Sequence, residues 1–172
     1  MNKRILMISP SIPCPNGNGF QLLSYDRIKS YLDNDFKIYV LCHILNKSPS
    51  DEQNINRLKK LGVQVLLVKI SLINVFFNLI IGILFSKNPL QVIIYRSNVF
   101  KKTKLSLIFN FKPDIIHFIT IRIFDSSSLI KIPIVTDFVD SMNLNFKGRL
   151  KNSNFFIKKI INFEINRLKL FE

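Results

Sequence analysis

The sequence predicts an α/β domain of the Rossmann-like, doubly wound kind, a parallel sheet with helices on both faces. Three observations carry that reading. Five short β-branched runs recur along 172 residues, helix-length segments separate them, and the runs are apolar almost throughout, as strands covered on both faces are. Strands alternating with helices are joined by right-handed crossovers and lie parallel. The length suits one such domain, since domains commonly span roughly 100–200 residues.

The first run, Arg4 to Ile8, leads into "SPSIPCPNGNGFQLL", Ser9 to Leu23, where Pro10, Pro13, Pro15, Gly17 and Gly19 crowd together. A helix follows, beginning near Phe20. The second run is Phe36 to Cys42. In "SDEQNINRLKKLG", Ser50 and Gln53 have capping-box spacing, Ile55, Leu58 and Leu61 form one stripe, and Gly62 suits the left-handed position past a helix end. The third run, Val63 to Ile70, opens a nearly continuous apolar stretch to Phe85, long enough to raise a membrane span of about 20 residues. Lys69, Asn74 and Asn78 interrupt it. It therefore divides into a buried strand and an amphiphilic helix from about Leu72 to Phe85, a core helix or one lying on a membrane surface, with a true span the third reading.

Two prolines punctuate the next part, in "SKNPL" and "NFKPDIIH", because the residue before proline resists helix. The fourth run is Ile115 to Ile119 and the fifth Ile132 to Thr136. A closing helix, "NSNFFIKKIINFEINRLKLFE", places Ile157, Ile161, Leu168 and Phe171 on one side and Lys158, Asn162, Asn166 and Lys169 elsewhere.

Composition narrows the function classes. Hydrophobic residues make up 48% and charged residues 21%, which argues for an ordered fold and against disorder. Lys and Arg number 25 against 11 Asp and Glu, a formal net charge of +14 that favours polyanionic surfaces. The basic residues are scattered in small clusters, Lys59-Lys60, Lys101-Lys102 and Lys158-Lys159, without the aromatic interleaving of a nucleic-acid module, so no specific nucleic acid is expected. An Asn-, Ile- and Phe-rich composition of the kind AT-biased coding produces accounts for the charge equally well. Cys14 and Cys42 form no CxxC pair or metal group and read as reduced thiols of a cytosolic protein. The opening "MNKRILMISPSIP" has too short an apolar run for an export signal.

In doubly wound sheets ligands gather at the carboxyl ends of the strands, which selects the loops after the first, fourth and fifth runs. Gly17 and Gly19 would let backbone approach a ligand just before a helix start that favours anions, although Pro and Asn-Gly are also ordinary turn chemistry. The spacing is neither GxGxxG nor a P-loop, so neither a nicotinamide cofactor nor ATP is expected, and no cofactor or metal is assigned. In "DIIHFITIR", His117 could act as a base or accept from a hydroxyl, and Arg122 could pair with phosphate; an isolated His in an apolar strand is equally a satisfied core residue. In "VTDFVDSMN", Asp137 and Asp140 could orient sugar hydroxyls, while Asp140 or Ser141 could simply cap a helix.

Taken together, "PCPNGNGFQLLSY", "NPLQVIIYRS", "KPDIIHF" and "IPIVTDFVDSMNLNFKGR" followed by "FEINRLKLFE" resemble the N-terminal half of a GT-B glycosyltransferase of the large retaining family four type. The likeness extends to sugar transferases of bacterial exopolysaccharide clusters, through Asp137, Asp140 and Ser141 and then Glu164, Arg167, Phe171 and Glu172. The resemblance implies an acceptor-binding half, with Gly17 and Gly19 facing the cleft, His117 and Arg122 on the acceptor side and His117 the catalytic candidate, and Asp140 and Ser141 orienting a hydroxyl. The donor nucleotide-sugar would need a second, C-terminal domain, so this half is expected to be inactive alone, and the acceptor would be a glycan or a lipid-linked sugar in surface polysaccharide synthesis. Two departures stand out: Gln21, Leu22 and Leu23 occupy positions where an Arg is usual, and Ile119 stands where a second His often falls. The implied location is cytoplasmic, with peripheral contact of the basic surface on the inner, anionic face of the cell membrane. Other readings of the same residues are a basic α/β module for an anionic membrane or nucleic acid, and an inactive gene remnant.

Overall fold

The computed structural model describes residues 3–45, 48–124, 131–137, 146, 148–150 and 153–171. Five parallel strands, β1 (Arg4–Ser9), β2 (Lys37–Ile44), β3 (Gln64–Lys69), β4 (Ile115–Ile119) and β5 (Ile134–Asp137), form one sheet in the order β3-β2-β1-β4-β5. The chain is therefore Rossmann-like and doubly wound, as its alternation of apolar runs and helical segments requires.

Period-two alternation sorts the strand side chains onto two cores. On one face Met7, Val40, Cys42 and Ile119 pack with Ile28 of α1 (Gly19–Leu32) and Leu58 of α2 (Asp51–Lys60). On the other Leu6, Ile8, Leu41, Ile116 and Phe118 meet Phe100 of α5 (Asn98–Phe111). Every strand of the sheet centre is thus buried on both sides, which explains why the runs show no polar alternation.

Local signals differ from expectation at several ends. Ser50 makes no side-chain cap; instead the Asp51 carboxylate accepts from the Ser48 backbone N–H at 2.7 Å, so the capping box expected from Ser50 and Gln53 is replaced by an acidic first turn. Leu58 is fully buried and Ile55 packs beside it, but Leu61 has already left the helix and is 40% exposed. Gly62 adopts φ of 81°, the left-handed conformation that stops α2 before β3.

The helix α3 (Leu72–Phe85) occupies the expected residues, but it is not a core helix: only Gly82 is buried. Its chief packing partner is α4 (Leu90–Ile94), with Gly82 so close that a Cβ there would fall 2.6 Å from Ile93 Cδ1. At 14 residues it is about 21 Å long, short of a bilayer core of about 30 Å, and no helix among the described residues is long and apolar enough to cross a membrane.

The closing helix α6 (Phe155–Phe171) holds that corner together. Its buried stripe is Ile161, Glu164, Ile165, Arg167 and Leu168, whereas Ile157, expected on it, is 46% exposed. The Glu164 carboxylate accepts from the backbone N–H groups of Leu90 and Gln91 at 2.9 and 3.3 Å, capping the start of α4. Arg167 donates to the carbonyls of Gly82, Ile83 and Asn88 at 3.0, 3.1 and 3.1 Å, closing the end of α3. Helix ends leave such backbone groups without partners, and one Glu-x-x-Arg turn serves two of them.

Candidate functional site

Strand order reverses between β1 and β4, the switch point beyond whose carboxyl ends open α/β sheets take their ligands. The connection after β1 forms one wall. It is a tied loop: Asn18 caps α1 by accepting from the Gln21 N–H at 3.2 Å, the Asn18 N–H donates to Gln21 Oε1 at 3.1 Å, and Gln21 Nε2 donates to the Ile12 carbonyl at 3.1 Å. Ser9 Oγ donates to the Ser11 carbonyl at 2.7 Å and fixes the exit from β1. Gln21, one of the three positions with Leu22 and Leu23 at which an Arg is expected by resemblance, here completes a capping box.

The two glycines of this loop have different reasons. A Cβ at Gly17 would lie 2.5 Å from Gln21 Cβ and 2.7 Å from Cys14 Sγ, so the loop's own packing demands glycine. At Gly19, the first residue of α1, a Cβ would meet nothing within 4 Å. The backbone there is open to an incoming ligand.

The second wall follows β4. Thr120 takes φ of 80°, strained for a β-branched residue, while its N–H donates to the Asp137 carbonyl at 3.0 Å. The chain then makes a single 3-10 turn, Ile121–Ile123, that buries both isoleucines and sends Arg122 toward α1. The Arg122 guanidinium sits 5.2 Å from the centre of the Phe20 ring, a cation–π contact with the first turn of α1. Its Nε is buried and has no hydrogen-bond partner among the described residues. Arg122 thus brings a positive group to the first turn of α1 from the β4 side of the switch point.

His117 lies elsewhere. It sits in the middle of β4, 1% exposed, with Nδ1 2.9 Å from the Tyr31 hydroxyl and Nε2 3.2 Å from Asp137 Oδ2, the latter without hydrogen-bond alignment. Arg27 Nε donates to the same Asp137 oxygen at 3.0 Å. Burial lowers the His117 pKa; Asp137 opposes that and Arg27 adds to it, so the ring is neutral at neutral pH. If Nδ1 accepts from the Tyr31 phenol, the ring proton resides on Nε2, facing Asp137. Burial and then Asp137 raise the Tyr31 pKa and keep it a phenol.

The structure thus brings Gly19, Phe20 and Arg122 together, with Gly17 as packing behind them, and places His117 in a separate network under α1. Asp140 and Ser141 lie outside the described residues. Among the described residues no three His, Cys, Asp or Glu side chains gather as a metal site. Reading the sequence alone missed Phe20, Arg27 and Tyr31; the four-residue spacing of Arg27 and Tyr31 on one helix face was the available signal. Neither a family model nor a curated protein matches this chain.

Proposed function

We propose that the chain is the acceptor-side half of a retaining glycosyltransferase, taking a glycan or lipid-linked sugar in the β1–β4 crevice. The observation that supports it most is the Arg122 guanidinium lying against Phe20 in the first turn of α1, next to Gly19, where a Cβ would meet nothing within 4 Å. A guanidinium at the start of a helix suits polarised hydroxyls and phosphate oxygens, the groups a sugar-transfer cleft must orient. Backbone donors and a fixed cation stabilise a departing diphosphate electrostatically, the largest single contribution in such chemistry. The donor nucleotide-sugar is held by a second domain in this reading, and this domain supplies the acceptor side. His117 belongs to the scaffold, through Tyr31 and Asp137, rather than to the transfer step.

The test is amide chemical-shift mapping with panels of glycans and polyprenyl-phosphate sugars. Perturbations centred on Gly19, Phe20 and Arg122, lost on Arg122→Met, are expected. Shifts confined to other elements, or sugar transfer by the purified chain alone, overturn the proposal.

A further inference from the structure

The most unusual surface is α3. Its sequence, LINVFFNLIIGILF, carries no charge, and Leu72, Ile73, Phe76, Phe77, Leu84 and Phe85 are between 57% and 83% exposed. At 100° per residue, the exposed apolar positions span an arc of about 220°, while Val75, Asn78, Leu79 and Gly82 form the narrow face turned inward. Soluble surfaces rarely leave so large an apolar patch uncovered.

Charge identifies what covers it. Lys69 precedes the helix and Lys87 follows it, both exposed. At its C-terminal end a cleft of about 340 Å³ is lined by Asn78, Phe85, Ser86, Lys87, Asn88 and Arg96. The floor is anchored, since Asn78 Nδ2 donates to the Arg96 carbonyl at 2.8 Å and Arg167 ties the last carbonyls of α3. A second copy of this chain would bring another +14 against the first, and that repulsion opposes pairing through this face. An anionic bilayer accepts a broad apolar arc and attracts the charges beside it.

We propose that α3 is an interfacial helix that docks the protein on anionic phospholipid membranes, its apolar arc among the acyl chains and Lys87 and Arg96 on headgroup phosphates. The helix lies in the membrane plane, being too short to span it. This docking stands independently of the sugar-transfer reading.

Co-sedimentation with mixed phosphatidylglycerol–phosphatidylcholine vesicles tests it. The full 172-residue chain is expected to bind these vesicles and to bind pure phosphatidylcholine far more weakly, with affinity falling as salt rises. The double substitution Phe76→Asp and Phe77→Asp should cut binding more than about tenfold, because acyl-chain contact is removed from both rings. Lys87→Gln with Arg96→Gln should cut binding roughly 20-fold on anionic vesicles only. These side chains are exposed, so circular dichroism is expected to be unchanged. The chain has no Trp, so Phe77→Trp gives a single fluorophore whose emission should shift to the blue on adding anionic vesicles. Absence of that shift, binding indifferent to the α3 substitutions, or a blue shift produced by protein concentration without vesicles overturns the proposal, the last by assigning the face to a second copy.

Discussion

Lowering the pH tests the second core through one residue, His43. It is fully buried on β2, its ring stacked on Phe100 at 4.1 Å between planes 10° apart, with Tyr95 at its edge. Neither ring nitrogen has a hydrogen-bond partner among the described residues. Burial pushes its pKa down to about 4 from an ordinary 6.5. The folded value lies below the unfolded one, so protonation favours unfolding. No penalty acts well above pH 6.5; it grows as pH falls from 6.5 and is complete below about 4. At 1.36 kcal/mol per pKa unit, the full loss is about 3 kcal/mol, a large part of a typical domain's 5–15 kcal/mol. Carboxylates also titrate in this range, and the variant His43→Phe cancels them: it keeps a flat ring against Phe100 and removes the titrating group. Urea unfolding of both proteins from pH 8 to pH 4 at constant ionic strength is the assay. The difference in unfolding free energy should be flat above neutrality and move in favour of His43→Phe by about 3 kcal/mol at the acid end. Parallel profiles would refute the claim that His43 is buried as a neutral, unpaired ring. At neutral pH the variant should be at least as stable, because a buried donor without a partner costs about 1–3 kcal/mol.

Two further expectations concern the loop and the clasp. Gly17→Ala should destabilise by about 1–3 kcal/mol, since its Cβ collides with Gln21 and Cys14, whereas Gly19→Ala should change stability by less than about 1 kcal/mol; thermal unfolding of the pair distinguishes a packing glycine from an open one. Arg167→Met should cost about 2–4 kcal/mol and raise hydrogen exchange at the end of α3 and in α4, because three carbonyls lose a charged donor in a buried site; unchanged exchange there would remove the clasp.

Most of the sheet was legible because strands buried on both faces must be apolar throughout. Ile115–Ile119 was bounded correctly, and β1 to β3 to within two residues at each end, while β5 starts at Ile134 rather than Ile132. Caps were less legible. Ser50 and Gln53 had the right spacing, yet Asp51 prevailed because a carboxylate also meets the positive end of the helix. The Glu-x-x-Arg turn could be seen as a pattern but not as a clasp, since its partners lie 73 and more residues away.

By itself, then, the sequence determined the fold class, the alternation of strands and helices, the extent of α3 and the net charge, because periodicity and composition are local quantities. Tertiary structure alone decided which residues meet. It took Arg122 to Phe20, put His117 under α1 with Tyr31, and turned the apolar arc of α3 outward. Those outcomes depend on strand order and crossover geometry, which bring together side chains far apart along the chain. An uncharged helix reads the same in sequence whether it faces a core or a membrane, and its neighbours in space decide between the two.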